Sequence, residues 1–253
     1  MRFGVVQHDI VWEDRAANFA RLAPQVARAA AAGAQLVLLS ETFSTGFSMT
    51  PGIGEPEGGP SAQFLQEQAA EHGVWVAGSC PEVAPDGELP YNSFVLAGPD
   101  GTVHRYRKLH PFTHGGEHER FRAGEKPVTV EVGGLRVTPF ICYDLRFADV
   151  FWSAALDTDV YLVTANWPAA RRLHWQTLLQ ARAIENQAYV VGCNRVGTAG
   201  DGTEHTGDSR IVSPMGELLA TAAGVETVLV ADVDPAEVTA TRERLRFLAD
   251  RRA

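Results

Sequence analysis

The stretch Leu36-Val-Leu-Leu-Ser-Glu41 decides the fold, because four apolar residues stand together and two polar residues follow at once. A strand that is apolar at every position is typical of a parallel sheet covered on both faces. Over residues 13–32 the apolar side chains lie three or four positions apart, which predicts a helix that ends at Gly33. With a short apolar strand at residues 3–7, the start of the chain is a predicted strand–helix–strand unit.

The same alternation of helices and strands continues along the chain. A helix is predicted over residues 61–72, with Ser61 as its N-terminal cap, and a strand over residues 74–78. Two hairpins are predicted, with strands at residues 91–96 and 103–106 and at residues 128–132 and 135–141, around Gly-containing turns. The remaining predicted elements are helices over residues 146–156 and 171–186, strands over 160–164, 189–194, 208–213 and 227–232, and a last helix that Pro235 opens.

No linker rich in Ser, Pro or Gly divides the chain. Helices that bracket a mixed sheet system predict an α/β fold with layered architecture. We therefore expect a single domain over residues 1–253. Its core is expected over about residues 2–232, and a C-terminal helix and tail over residues 235–253.

The composition is that of an acidic globular protein. The 253 residues include 22 Lys and Arg against 31 Asp and Glu, a formal charge of −9, and 45% are hydrophobic. A nucleic-acid binder needs a basic surface to displace counterions, so no nucleic-acid partner is expected. The start lacks the layout of a signal peptide, and the longest apolar stretch, residues 26–39, is shorter than the ~20 residues that cross a membrane. We expect a cytoplasmic protein without membrane contact.

Cys142 stands at a corner of the predicted fold, in Pro139-Phe-Ile-Cys-Tyr-Asp-Leu-Arg146, where an apolar strand ends and a helical pattern begins. Helix N-terminal N–H groups favour a thiolate at such a corner. The backbone N–H of Tyr143 would face the oxyanion that forms when Cys142 attacks a carbonyl. The alternative is a buried core cysteine, which is common for free Cys. Cys80 and Cys193 lie in apolar strands and are predicted to be core residues.

Two charged residues also follow predicted strands. Glu41 comes at the carboxyl end of an apolar strand, where open α/β sheets place ligands, and its carboxylate suits a general base. Lys108 ends the first hairpin, where an ammonium could stabilise developing negative charge. The alternatives are a loop glutamate or helix cap for Glu41 and a solvated side chain for Lys108. Three complementary groups past three strand ends favour one site formed by Glu41, Lys108 and Cys142.

These residues lie in segments that resemble the nitrilase superfamily of carbon–nitrogen hydrolases, and within it the ω-amidase branch. The resemblance runs in family order over about residues 2–232. Ser40 departs from the family pattern, which often has Pro or another small residue there, and Ala148 stands where many relatives carry Pro. The matching segments are Leu38-Leu-Ser-Glu-Thr-Phe43, Tyr106-Arg-Lys-Leu-His-Pro-Phe112, Glu117 with Gly124, Phe140-Ile-Cys-Tyr-Asp-Leu-Arg-Phe147, Ala165-Asn-Trp-Pro168, Arg182-Ala-Ile-Glu-Asn-Gln187 and Gly192-Cys-Asn-Arg-Val-Gly197.

The resemblance implies a role for each of four residues. Glu41 corresponds to the general base, Lys108 to the oxyanion lysine, Cys142 to the nucleophile and Glu117 to the second glutamate of the site. It also implies a four-layer α-β-β-α sandwich that forms a homodimer or higher homo-oligomer. The implied reaction is hydrolysis of a small linear amide, such as the α-keto acid ω-amide 2-oxoglutaramate, to acid and ammonia through a Cys142 thioester.

Several side chains near the expected site are candidates for binding the substrate. The Arg146 guanidinium could hold a substrate carboxylate bidentately, or it could cap a helix or pair with Asp144. Aromatic residues there could exclude water from the site or simply belong to the core. These aromatic residues are Phe43, Phe47, Phe112 and Trp167.

Neither a metal nor a cofactor is expected. Histidines lie four residues apart in the segment 110–118, but its Pro and Gly residues prevent the regular helix that would align them. No Cys-x-x-Cys or His-Glu-x-x-His pattern occurs.

Other functions compatible with the sequence are an N-carbamoyl amine hydrolase or a nitrilase with the same three residues, a non-catalytic small-molecule-binding protein, and a thiol redox enzyme. The intact Glu41, Lys108 and Cys142 set argues against a binder, since binding needs no thiol. No resolving cysteine lies near Cys142 in the sequence, which argues against the redox enzyme.

Overall fold

The apolar stretch after the first helix forms a strand, Leu36–Leu38, with parallel neighbours on both sides. The computed structural model describes residues 1–87 and 89–251. Leu36 and Leu38 belong to the core that is shared with a second sheet, whereas Val37 and Leu39 belong to a core beneath the outer helices. Because successive side chains of a strand point to opposite faces, a strand between two cores has to be apolar at every position.

The described residues form fourteen strands, numbered in chain order. Most of them coincide with the predicted strands, and the first hairpin, the second hairpin and the parallel strands are confirmed. The strands are β1 (Arg2–Gln7), β2 (Leu36–Leu38), β3 (Glu55–Pro56), β4 (Trp75–Val83), β5 (Tyr91–Ala97), β6 (Val103–Arg107), β7 (Val130–Val132), β8 (Leu135–Ile141), β9 (Val160–Ala165), β10 (Tyr189–Asn194), β11 (Val196–Thr198), β12 (Glu204–Val212), β13 (Leu218–Ala223) and β14 (Thr227–Asp232).

Five α-helices accompany these strands in the described ranges. They are α1 (Arg15–Ala31), α2 (Pro60–His72), α3 (Ala148–Ala154), α4 (Arg172–Asn186) and α5 (Pro235–Arg244). Short 3₁₀ helices lie at Thr113–Gly115, Glu117–Glu119, Cys142–Arg146, Ala155–Asp157, Ala169–Arg171 and Phe247–Asp250. Within the described part of the chain, no helix has both the length and the apolar character needed to cross a membrane. The last residues of the predicted tail, Arg252 and Ala253, lie outside the described residues.

The strands form two seven-stranded sheets within residues 1–87 and 89–251. The order of one is β14-β1-β2-β4-β5-β6, with β3 beside β4, and that of the other is β11-β12-β10-β9-β8-β7, with β13 beside β12. The sheets pack against each other through β1 on β10 and β5 on β8. Helices α1 and α2 cover the first sheet, and α4, with α3 beside it, covers the second. The predicted four-layer α-β-β-α sandwich is confirmed.

The predicted N-terminal cap of α2 is wrong. Pro60 occupies the first helical position, where its missing N–H costs no hydrogen bond, so Gly59 takes the cap position and Ser61 lies inside the helix. Ser61 points inward instead, and its backbone N–H donates to the Glu55 carboxylate at 2.7 Å.

The helix predicted over residues 146–156 begins later than expected. A tight 3₁₀ helix, Cys142–Arg146, follows β8 directly, and the extended backbone of Phe147 separates it from α3. The Asp144 carboxylate accepts the Ile141 N–H at 3.1 Å, which stabilises the tight turn in place of a regular helix. The edge strand β13 was not predicted, because its alanine-rich sequence has little intrinsic preference for a strand and pairs with β12 through tertiary packing.

The packing of β10 on α4 leaves no room for a side chain at Gly192. A Cβ atom there would lie 2.6 Å from Leu179 Cδ1 and 3.0 Å from Trp175 Cζ2. We expect Gly192→Ala to lower the free energy of unfolding by about 1–3 kcal/mol, measured by urea denaturation. Leu179→Ala removes the clashing atoms, so the double variant should lose less stability than the sum of the two single variants. Additive losses would contradict this account of the contact.

Candidate active site

Three of the four predicted catalytic residues line one cavity, and the fourth, Glu117, lies behind Lys108. Glu41 follows β2, Lys108 follows β6 and Cys142 follows β8, so the first two come from one sheet and the third from the other. The cavity has a volume of about 430 Å³. Its lining residues include Glu41, Phe47, Lys108, Phe112, Cys142, Tyr143, Arg146, Asn166, Trp167, Arg171 and His205.

Lys108 is a buried ammonium between two carboxylates. Its Nζ lies 2.8 Å from Glu41 Oε1 and 2.8 Å from Glu117 Oε2, and the side chain is 1% exposed. Burial by itself would lower the pKa of Lys108, but the charges of Glu117 and Glu41 outweigh burial and raise the pKa above its ordinary value. The lysine therefore stays charged and available to stabilise an anion.

Glu117 is held from three sides. Its carboxylate accepts hydrogen bonds from Lys108 Nζ, from the backbone N–H of Phe112 and from Asn92 Nδ2. Burial raises the pKa of Glu117, while the Lys108 ammonium opposes that rise and the Glu41 charge adds to it. Sequence reasoning missed Asn92, although a lone amide within the apolar strand β5 was a signal.

The Glu41 carboxylate is oriented by groups from both sheets. Oε1 accepts a hydrogen bond from Lys108 Nζ at 2.8 Å and one from Asn92 Nδ2 at 2.9 Å. Oε2 accepts a hydrogen bond from the backbone N–H of Asn166 at 2.8 Å. The Asn166 side chain donates in return to the Glu41 carbonyl oxygen at 2.7 Å. Asn166 lies at the end of β9, in a segment quoted above for its resemblance and assigned no role.

Cys142 occupies a strained position. Its φ of +44° lies in the left-handed region, which costs a residue other than glycine about 1–3 kcal/mol. Asp144 stabilises this turn, because its carboxylate accepts Ile141 N–H, the Tyr106 hydroxyl at 2.7 Å and the backbone N–H of His110 at 2.9 Å. Tyr106 lies on β6 beside Lys108, so these bonds connect the turn at Cys142 to the opposite sheet.

Burial and a neighbouring charge oppose the thiolate that is expected at Cys142. Burial and the Glu41 carboxylate raise the pKa of the thiol well above its ordinary value, although the Lys108 ammonium opposes them. The turn after β8 is a five-residue 3₁₀ helix and not the regular helix that was expected there. Glu41 is thus close enough to Cys142 for its charge to act on the thiol.

Tyr143 lies in the first turn of the 3₁₀ helix, where backbone N–H groups have no partner within the helix. Its ring packs edge-on against Phe112 and Phe147, at centroid distances of 5.0 and 5.2 Å. The residue is therefore fixed next to Cys142 at the cavity wall.

Three of the four predicted substrate contacts line the cavity, namely Arg146, Trp167 and Phe112. The fourth, Phe43, is wrong, because its ring is fully buried among the residues beneath α1 and α2. It packs against Phe64 at a centroid distance of 6.0 Å and above Gly78, where a larger residue would clash with it.

Two guanidinium groups at the cavity wall lie over aromatic rings. The Arg146 guanidinium is 4.8 Å from the centre of the Trp167 ring, and that of Arg171 is 5.5 Å from the centre of the Phe112 ring. Asp144 is not paired with Arg146, since its oxygens bind other donors. Among the described residues, no carboxylate forms an ion pair with either arginine. Sequence reasoning missed Arg171, which no motif distinguishes from other arginines.

His205 also lines the cavity, and sequence reasoning missed it. Burial lowers its pKa to about 4, and the Arg195 charge adds to this effect, so the ring is neutral near pH 7. Its Nδ1 is buried with no hydrogen-bond partner in the described ranges. No three His, Cys, Asp or Glu side chains among the described residues are arranged to hold a metal ion.

Comparisons with known proteins identify the family to which the chain belongs. A sequence profile of the family described as "Carbon-nitrogen hydrolase" matches residues 2–243. The chain is 40% identical over 246 residues to the omega-amidase YafV of Escherichia coli (strain K12), covering 96% of this chain and 94% of the relative. It is 32% identical to the 2-oxoglutaramate amidase of Bacillus subtilis (strain 168), covering 86% and 85%.

Among solved structures, the chain is similar to XC1258 from Xanthomonas campestris, a CN-hydrolase superfamily protein with an arsenic adduct in the active site. The TM-score is 0.95 at 34% identity, covering 100% of this chain and 97% of that one.

We expect charge changes at the two neighbours of Cys142 to shift its pKa in opposite directions. Glu41→Gln removes a carboxylate that raises this pKa and should lower it, whereas Lys108→Met removes an ammonium that lowers it and should raise it. The rate of Cys142 alkylation by iodoacetamide, followed across pH by peptide mass mapping, should therefore shift to lower pH in the first variant and to higher pH in the second.

Cys80 and Cys193 are internal controls, because both are fully buried, as predicted, and should stay unmodified in the folded protein. Identical alkylation profiles in all three proteins would contradict the coupling of Cys142 to its neighbours.

Proposed function

Because the chain belongs to the carbon–nitrogen hydrolase family, we propose that it hydrolyses a small linear carboxyamide to an acid and ammonia through a thioester on Cys142. The predicted superfamily is confirmed, and the protein is a hydrolase of the ω-amidase kind. The observation that carries the proposed mechanism is the buried cluster in which Lys108 lies between Glu41 and Glu117, beside the Cys142 thiol.

The first half-reaction begins with proton transfer. Glu41 takes the proton of Cys142, and the thiolate attacks the amide carbon. The raised pKa of the thiol supports this order, because little thiolate exists before the base acts. Glu41 is suited to the role, since three donors hold its carboxylate in one orientation and its charge acts on the thiol.

The tetrahedral oxyanion is stabilised by two donors in this proposal, Lys108 Nζ and the backbone N–H of Tyr143. Lys108 is charged and its position is fixed by its two carboxylates, so little reorganisation is needed when the anion forms. Removing one donor of this kind typically costs about 3–4 kcal/mol of transition-state stabilisation.

Breakdown of the tetrahedral intermediate returns the proton. The carbon–nitrogen bond breaks, protonated Glu41 gives its proton to the departing nitrogen, and ammonia leaves a thioester on Cys142. Glu41 then deprotonates a water molecule that attacks the thioester, and the acid is released with the thiol restored. Glu117 keeps Lys108 in place throughout and borders the position of the incoming water or the amide nitrogen.

The proposed substrate is an α-keto acid ω-amide such as 2-oxoglutaramate. Similarity to relatives named as omega-amidase and 2-oxoglutaramate amidase supports this choice. The cavity supports it as well, because Arg146 and Arg171 present guanidinium groups that have no carboxylate partner among the described residues. A substrate carboxylate distant from the amide would supply that partner, with Arg146 in bidentate contact.

The thioester leads to a direct prediction. Rapid mixing of the protein with 2-oxoglutaramate, followed by acid quench and intact-mass analysis, should show a covalent adduct with the mass of the substrate less ammonia. Glu41→Gln should slow the formation of the adduct and also its hydrolysis, because the same carboxylate deprotonates Cys142 and activates the water, so any adduct that forms should persist. Cys142→Ala should show no adduct. An unmodified Cys142 in wild type throughout turnover would contradict the covalent mechanism.

The arginine pair leads to a prediction about specificity. Arg146→Ala and Arg171→Ala should each raise KM for 2-oxoglutaramate about ten- to hundred-fold, the usual range for a lost hydrogen bond to a charged group, with a smaller change in kcat. An uncharged amide of similar length should show no such change. Arg172→Ala is the matched control, because Arg172 is bound to Asp208.

The measurement is coupled detection of ammonia from 2-oxoglutaramate, glutamine, a nitrile and an N-carbamoyl amino acid. Preference for the carbamoyl compound or the nitrile would replace the proposed substrate class. No turnover of any compound, with Cys142 inert to alkylation, would favour a non-catalytic binding protein.

A further inference from the structure

Asn92 on β5 is a buried amide that contacts both glutamates of the cluster. Its Nδ2 lies 2.9 Å from Glu41 Oε1 and 3.1 Å from Glu117 Oε1. Its backbone carbonyl accepts the N–H of Lys108 at 3.0 Å, and the residue is 1% exposed. One residue thus contacts the lysine and both carboxylates.

The orientation of this amide is determined by its partners. Nδ2 has two hydrogens, and the two carboxylates that it contacts accept them. The Oδ1 atom is buried and has no hydrogen-bond partner in the described part of the chain. The reversed amide would place Oδ1 against two carboxylates and create repulsion. The side chain therefore leaves its acceptor unpaired and donates to both glutamates.

The charge balance of the cluster explains why a neutral donor matters there. One ammonium faces two carboxylates, so ionisation of both leaves a negative charge without compensation in a buried site. Asn92 reduces their repulsion without adding a charge, because its two N–H dipoles point at oxygens of both groups.

Other titratable groups near Glu41 come from several elements. Those bordering it are Lys108 after β6, Glu117 in the 3₁₀ helix, Cys142 after β8, His205 on β12 and, behind Ser40, His8 after β1. Burial lowers the pKa of both His205 and His8 to about 4, so neither titrates near neutral pH.

Resting on the proposed amidase function, we propose that Asn92 is a positioning residue that separates Glu41 and Glu117 around Lys108 and stabilises the ionised form of Glu41. Glu41 has to be ionised in the free enzyme to accept the Cys142 proton. The hydrogen bond from Asn92 Nδ2 to Glu41 Oε1 favours that form and fixes this oxygen, while the second bond from Nδ2 holds Glu117 Oε1.

The experiment compares Asn92→Ala, Asn92→Asp and wild type. Asn92→Asp keeps the shape of the side chain and replaces the donor with a carboxyl group, so it remains informative if the smaller residue disturbs folding. Asn18→Ala is the matched control, because Asn18 is equally buried and its Nδ2 donates to two carbonyls, of Val11 and Ser44, outside the site. Circular dichroism and urea denaturation establish that each variant is folded.

Two readouts are measured across pH. In ammonia release, the acid limb of kcat/KM should move up by about one pH unit in Asn92→Ala and further in Asn92→Asp, with about ten-fold lower activity on that limb. In iodoacetamide alkylation, the pH midpoint of Cys142 modification should also move to higher pH. The Glu41 carboxylate, without the hydrogen bond from Asn92, raises the pKa of the thiol further. Asn18→Ala should change stability and leave both midpoints in place.

The outcomes separate the two proposals. Variants of Asn92 that lose activity or stability with both pH midpoints unchanged, as in Asn18→Ala, would overturn the positioning role. If wild type releases no ammonia from any amide, the proposed function fails, and the alkylation midpoint alone then decides whether Asn92 acts on the cluster.

Discussion

A buried ammonium between two carboxylates is the interaction on which the rest of this structure depends. Lys108 and its two glutamates are almost completely removed from solvent, and such charges are tolerated only when they are paired and hydrogen-bonded. That requirement constrains the first sheet. The register of β5 and β6 places Asn92 next to Lys108, and β2 delivers Glu41 at the same sheet end. A shift by one residue would turn these side chains to the other face and leave charges without partners.

The second sheet completes the site. Asn166, after β9, orients Glu41, and Asp144, after β8, accepts the hydroxyl of Tyr106 from β6. The strained backbone of Cys142 is stabilised by the same Asp144 contacts. Cys142 therefore lies beside Glu41 only when the two sheets pack against each other, and the proposed chemistry depends on packing of the apolar core. The raised pKa of the thiol is a result of that packing, because burial and the Glu41 carboxylate act on it together.

How far the sequence could predict this arrangement differs between residues. Glu41, Lys108 and Cys142 were identifiable because charged or nucleophilic residues directly after apolar strands are uncommon. The prediction of a substrate contact for Phe43 was wrong, because closeness in sequence to Glu41 does not determine the face of the sheet on which a ring packs. The Phe43 ring lies on the helix side of the sheet. The elements with strong periodicity were predicted well. The start of α3 was not, because the contacts of the Asp144 side chain, two of them with residues distant in sequence, stabilise the 3₁₀ turn.

The sequence by itself determined the layered α/β fold, the family and the three residues proposed to carry the reaction, since each depends on local pattern: apolar runs, turn residues and motifs in a fixed order. Only the tertiary structure decided that Asn92 binds both glutamates, that Arg171 and His205 line the cavity, and that burial and the Glu41 carboxylate raise the pKa of the Cys142 thiol. These features depend on distances between groups far apart in the chain and on burial, which arise only when the two sheets and their helices pack together.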